Sequence, residues 1–89
     1  MKKILYLTVH RKWYDLILTG QKAVEYRECK PYWIKRLFNE FPSKPKVFDE
    51  IHFRNGYGNH RPLLKTTHLD TYFNYATNKI ELMLGKVIG

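Results

Sequence analysis

Cysteine is almost absent from this chain: Cys29 is the only one, which excludes an internal disulfide framework. Acidic residues are scarce too, with eight Asp and Glu against sixteen Lys and Arg, a formal charge of +8. Long apolar runs are missing. The segment after Met1-Lys2-Lys3-Ile4 loses its apolar character by residue 10, too short and too β-like for a signal peptide or membrane span. A cytoplasmic location away from membranes is therefore expected. Internal repeats, low-complexity tracts and dividing linkers are also lacking, so residues 1–89 read as one domain. His10, His52, His60, His68 and Cys29 have no paired ligand spacing, and no phosphate loop of the nucleotide-hydrolase kind occurs. Neither a metal nor another cofactor is expected.

What is present is apolar and aromatic bulk. Apolar residues make up 44% of the chain, too many for a disordered segment, and seven Tyr, five Phe and two Trp can fill a small core. The length supports one such core and not two. The positive charge is one-sided: residues 1–46 hold eleven basic and four acidic residues, whereas 47–89 hold five and four. An uneven cationic surface attracts polyanions and speeds their association, and nucleic acid is the commonest cellular polyanion. The plainer alternative is a solvated basic face that aids solubility.

Ile4–Val9 alternates as a first strand, with Leu5, Leu7 and Val9 on one face and Tyr6 and Thr8 on the other. Residues 11–19 switch to helical period with Trp13, Leu16 and Ile17 on one stripe, and Gly20 sits where a left-handed C-terminal residue is wanted. Residues 22–29 alternate again as a second strand. Pro31 then opens a helix to about Glu40 that buries Trp33, Ile34, Leu37, Phe38 and Phe41. Phe41-Pro42-Ser43-Lys44-Pro45-Lys46 is expected as an exposed basic loop.

A strand over residues 47–54 would turn Val47, Ile51 and Phe53 one way and Glu50, His52 and Arg54 the other. Asp49 falls on the apolar side, which suits it only at a strand end or in a polar pocket. Asn55-Gly56 starts a hairpin turn, residues 63–69 return as a strand, and residues 71–78 are ambiguous. Residues 79–84 make a last strand with Ile80, Leu82 and Leu84 in phase, followed by a bulge or kink at Gly85. So many short strands in so small a domain favour an α+β fold. A closed or nearly closed mixed β-barrel of five to six strands, with two flanking helices, removes exposed edges.

The most informative stretch is Gly20-Gln21-Lys22-Ala23-Val24-Glu25-Tyr26-Arg27. Strand parity puts Glu25 and Arg27 on one face, and Lys22 can turn toward them as the chain leaves the helix. Arg27 can fork onto a phosphate or a base edge, and Lys22 supplies a mobile point charge. Glu25 can accept from base amino groups or hold the two cations in place. The competing reading is an ordinary surface Glu–Arg pair beside a solvated lysine.

Gly20, Lys22, Glu25 and Arg27 match the G-x-K-x-x-E-x-R signature of the ASCH domain, a branch of the PUA-like superfamily. Residues 5–9, 16–20, Tyr26-Arg27-Glu28, Tyr32-Trp33, Phe53-Arg54-Asn55-Gly56-Tyr57 and Leu84-Gly85-Lys86-Val87-Ile88 are also similar to blocks of that family. The resemblance spans nearly the whole chain. It implies a PUA-like β-barrel and a cleft that binds RNA, lined by Lys22, Glu25 and Arg27 with Gly20 shaping the turn. Some similar proteins are amidohydrolases acting on a modified cytidine through a lysine and a threonine three residues later. Lys22 matches that lysine, but position 25 is Glu, so the nucleophile is missing. Others have been described as ribonucleases. For either activity Lys22 and Glu25 are the catalytic candidates, with Asp49, Glu50, His52 or His10 as further acid–base groups.

Outside the motif, Tyr32 could stack on an unpaired base, whereas Trp33 and Trp13 read as core by spacing. Residues 55–61, glycine-rich and flanked by Arg54 and Arg61, form either a plain hairpin turn or a phosphate contact with Tyr57 at the tip. Three functions follow: RNA or nucleotide-like ligand binding through Lys22, Glu25, Arg27, Tyr32, Arg54 and Tyr57; hydrolysis of a modified nucleoside or RNA in the same cleft; or a protein-interaction module whose basic face meets an acidic protein partner.

Overall fold

Alternation and helical period produce the first half of the chain much as its pattern demands. The computed structural model describes residues 1–56 and 63–89. Its elements run β1 (Ile4–Val9), α1 (Arg11–Leu18), β2 (Val24–Glu28), α2 (Pro31–Leu37), β3 (Phe38–Glu40), β4 (Lys44–Pro45), β5 (Glu50–Asn55), β6 (Leu64–Asn74) and β7 (Lys79–Val87). Five strands form a mixed sheet in the order β1-β5-β6-β7-β2, and β3 and β4 pair separately. The β1–β5 pair is parallel; β5–β6, β6–β7 and β7–β2 are antiparallel. The sheet curls into a half-barrel and stays open, with β1 and β2 as its two edges. The fold is thus small and α+β, with two helices among the described residues and a half-closed barrel.

Leu5, Leu7 and Val9 of β1 pack with Ile51, Phe53, Leu64, Ile80, Leu82 and Leu84 of the other strands. Tyr14 and Ile17 of α1, Leu37 and Phe38 complete the core. Phe53 and Ile51 are fully covered, and burying each such side chain contributes about 1.5–3 kcal/mol. Gly20 leaves α1 at φ 81°, the left-handed geometry expected there, and the Lys22 amide returns to the Leu16 carbonyl at 3.0 Å. That turn delivers the chain into β2.

Several expectations are corrected. Trp13 is 39% exposed, because Tyr14 and Ile17 form the inward stripe of α1. Helix α2 ends at Leu37 and not at Glu40. Phe38 adopts extended geometry, enters the core and pairs with Pro45, so part of the expected basic loop is the strand β4. Val47 is exposed, and β5 starts only at Glu50. Asp49 lies just before it, where its carboxylate accepts from the Lys3 amide at 2.7 Å, the strand-end role that suits a carboxylate. Glu50 and His52, on the face opposite Ile51 and Phe53, are buried as well, so β5 is covered on both faces from Glu50 to Phe53.

The ambiguous segment 71–78 resolves into strand through Asn74 and a turn over residues 75–78. Asn74 Oδ1 accepts from the Ala76 amide at 2.9 Å, and Asn78 takes a positive φ of 58°, which asparagine tolerates. A bulge in β6 hid this strand from the alternation, and a second bulge lies in β7. Between Thr66↔Val87 and His68↔Leu84 an extra residue falls on β7, and between His68↔Leu84 and Asp70↔Met83 one falls on β6. Each insertion reverses strand parity. Leu64 and Thr66 point inward before the β6 bulge; Thr71 and Phe73 do so after it.

Gly85 sits at the β7 bulge because nothing larger fits: a Cβ there would collide with the Thr67 hydroxyl, which accepts from the Lys86 amide at 3.1 Å. Gly85→Ala should therefore cost about 1–3 kcal/mol in urea unfolding, with part recovered in Gly85→Ala/Thr67→Ala. Equal losses in the single and double variants would contradict the close approach.

His68, beside the β6 bulge, has Nε2 2.7 Å from Thr71 Oγ1 and Nδ1 accepting from the Phe48 amide at 3.4 Å. Burial pushes its pKa below the ordinary 6.5. The unfolded chain then binds a proton that the folded chain refuses, so stability falls as pH drops below 6.5 and levels off below the folded pKa. Urea midpoints measured from pH 7.5 to 5 should fall in the parent chain and stay flatter in His68→Gln; parallel profiles would contradict this.

Candidate functional site

Cross-strand partners in an antiparallel pair share a face. Glu25 lies opposite Leu82 and Arg27 opposite Ile80, so both charged residues of β2 continue the row of core side chains on the inner face of the half-barrel. They sit at its open edge. Glu25 is only 6% exposed. Its Oε2 accepts from Arg27 Nη2 at 2.9 Å; its Oε1 accepts from the Tyr26 amide at 3.0 Å and lies 3.5 Å from Lys22 Nζ. The three motif charges expected from spacing therefore form one nearly buried cluster, not a solvated surface pair.

Aromatic rings enclose both cations. Lys22 Nζ lies 5.0 Å from the Trp13 ring centroid and 4.9 Å from that of Tyr26. The Arg27 guanidinium lies 4.9 Å from the Trp33 ring, and the Arg36 guanidinium lies 5.4 Å from the same ring. Each such contact contributes about 0.5–2 kcal/mol, more as water is excluded. Arg27 Nη2 also donates to the Thr8 carbonyl at 3.1 Å, and Arg36 Nη2 donates to the Tyr6 carbonyl at 2.6 Å. These two arginines attach β2 and α2 to the free edge of β1 across the opening of the half-barrel.

Two clefts meet at Arg27. The first, of about 420 Å³, is lined by Thr8, Val9, His10, Trp13, Glu25, Tyr26, Arg27 and Gly56. The second, of about 370 Å³, includes Tyr6, Thr8, Arg27, Tyr32, Trp33, Arg36, His52 and Arg54 in its lining. Thr8 and Arg27 belong to both. Lys22 does not line the first cleft itself; its ammonium rests against the rings of two residues that do.

Of the expected ligand residues, Lys22, Glu25 and Arg27 come together, while Tyr32 and Arg54 line the second cleft. Tyr57 lies outside the described residues. Sequence reasoning missed Arg36, and missed Trp13 and Trp33 as partners of cations. Tyr32 and Arg36 are one helical turn apart, with Arg36 Nη1 3.3 Å from the Tyr32 hydroxyl, so the i, i+4 pairing was a usable signal.

On β5, His52 Nε2 lies 2.9 Å from Glu50 Oε1, and Lys2 Nζ lies 2.6 Å from Glu50 Oε2. The His52 hydrogen bond, followed by that of Lys2, holds the Glu50 carboxyl below its ordinary 4.5. The His52 ring meets Tyr6 edge-on at 5.3 Å, and its Nδ1 is buried without a partner among the described residues. Arg27 Nε is likewise buried and unpartnered there. No three His, Cys, Asp or Glu side chains among the described residues gather as metal ligands. No helix among them is long and apolar enough to cross a membrane.

The sequence matches no protein-family model and none of the curated protein sequences.

Removing Glu25 would leave two nearly buried cations facing one another. Glu25→Ala should therefore destabilise by about 3–5 kcal/mol in urea unfolding. Glu28→Ala, which loses only exposed charge contacts with Lys30 and its cross-strand neighbour Lys79, should leave the midpoint in place. Equal effects of the two would contradict the cluster's central position.

Proposed function

We propose that this domain binds single-stranded RNA or a nucleotide-like ligand in the first cleft, with Glu25, Arg27, Trp13 and Tyr26 as the contact surface. One observation carries this reading: a carboxylate fixed between two cations and lining, with Trp13 and Tyr26, a cleft of about 420 Å³. Such a volume suits a small ligand, and the walls offer what an extruded base needs, a ring to stack on and fixed polar groups for its edge. The +8 charge would draw a polyanion toward it. The resemblance of Gly20, Lys22, Glu25 and Arg27 to the ASCH signature, with its RNA-binding cleft in a PUA-like barrel, points the same way.

Hydrolysis in the same cleft is the weaker reading. Position 25 carries no nucleophile, and the Glu25 carboxylate is engaged by the Tyr26 amide, Arg27 and Lys22, which fixes it as a structural counter-charge. Lys22, held between two rings and Glu25, is poorly placed for attack.

Fluorescence anisotropy with short labelled single-stranded RNA should give an affinity that falls by about 0.7 logarithmic units per phosphate contact for each tenfold rise in salt. Lys22→Ala and Arg27→Ala, once shown folded by circular dichroism, should each weaken it by about tenfold or more. Lys44→Ala, whose partner Glu40 is exposed, should not. Equal losses in all three would replace cleft binding with a diffuse basic face, and no binding at low salt would remove the RNA reading.

A further inference from the structure

We infer that the second cleft is a phosphate-binding site and that it takes the phosphate of a nucleotide whose base occupies the first. The charge inventory comes first. Three guanidiniums, those of Arg27, Arg36 and Arg54, line this cleft of about 370 Å³, and no carboxylate does. Arg27 shares its charge with Glu25. Neither Arg36 nor Arg54 has an acidic partner among the described residues: Arg36 donates to a hydroxyl and a carbonyl, and the Arg54 side chain is exposed. Like charges gathered round one cavity repel each other, and an anion bound there removes the cost.

Preorganisation is the second argument. Arg27 and Arg36 share the Trp33 ring and are held by carbonyls two residues apart on β1, so two planar forks stand fixed before any ligand arrives. Fixed guanidinium forks match the oxygens of a phosphate, and little side-chain freedom remains to be lost on binding. Arg54 reaches the same cleft from β5, which pairs it with Thr8 of β1 on the face away from the core.

The third argument is the pair of buried nitrogens without partners, Arg27 Nε and His52 Nδ1, on two residues of the lining. Buried polar atoms left unpaired are uncommon and mark places where a ligand or water belongs. Arg27 Nε can donate to a phosphate oxygen. His52, whose Nε2 faces Glu50, offers Nδ1 to a hydroxyl of the sugar or of a protonated phosphate.

The anion site stands on its own residues; only the identity of the phosphate's bearer rests on the first cleft being a base pocket. Arg27 and Thr8 belong to both clefts, so a base and its phosphate can be held on either side of one guanidinium.

Isothermal titration calorimetry at constant ionic strength tests this with four probes: inorganic phosphate, acetate, uridine and uridine 5′-monophosphate. Phosphate should bind one per chain and acetate should not. Arg54→Gln should weaken phosphate by about tenfold or more. Because the Arg54 side chain is exposed, that variant should keep the fold. Arg36→Gln should weaken it similarly, and Lys44→Gln should leave it unchanged. The monophosphate should bind more tightly than phosphate or uridine. No saturable phosphate binding, or equal loss in Lys44→Gln, overturns the phosphate site even where RNA still binds through Arg27. Phosphate binding that needs Arg54, with no gain for the monophosphate, keeps the site and overturns the base pocket beside it.

Discussion

The guanidinium of Arg27 is the constraint on which the site depends. It lies on the inner face of the curled sheet, opposite Ile80, where an apolar side chain would ordinarily sit. A cation there needs its charge answered, and Arg27 has this even though its Nε is buried without a partner among the described residues. Glu25 answers the charge, the Thr8 carbonyl accepts across the open edge, and Trp33 covers the face of the plane. Removing any one of these leaves the others poorly compensated. The half-barrel thus keeps its two unpaired edges in relation through side chains, where a closed barrel would use a backbone ladder.

Aromatic residues explain how so basic a chain holds its cations in place. Trp13 and Tyr26 flank Lys22, while Trp33 carries two arginines and Tyr32 a hydroxyl for one of them. Part of the one-sided charge is therefore built into the structure as fixed groups around two clefts. Other pairs, such as Lys30–Glu28, are exposed, and pairs of that kind contribute little to stability. Function on this view follows from position, since solvated lysines attract any polyanion whereas anchored guanidiniums select one geometry.

Local pattern carried much of the fold and part of the site. The Leu5, Leu7, Val9 alternation, the glycine exit from α1, the bulge at Gly85 and the shared face of Glu25 and Arg27 all follow from period and turn chemistry. What escaped has physical reasons. The insertion on β6 reverses its parity, so residues 71–74 fall out of phase with residues 64–66. Phe38 left the helix because its ring belongs to the core. Alternation put Glu50 and His52 opposite Ile51 and Phe53 without showing that they too are buried, bonded to one another inside a strand covered on both sides. Trp13 matched an apolar stripe by spacing and instead faces a cation. The second cleft had no period to reveal it, because it is assembled from β1, β2, α2 and β5 across contacts far apart in the chain.

The most direct measurement is an NMR titration that follows the Arg27 Nε–H resonance, resolved by comparison with Arg27→Lys, as short single-stranded RNA is added. Its nitrogen is buried and unpartnered among the described residues, and it stands between the two clefts. Ligand binding at this junction predicts that the resonance moves strongly and saturates with the same midpoint as the binding isotherm. A resonance that stays fixed while those of the exposed lysines shift would contradict it.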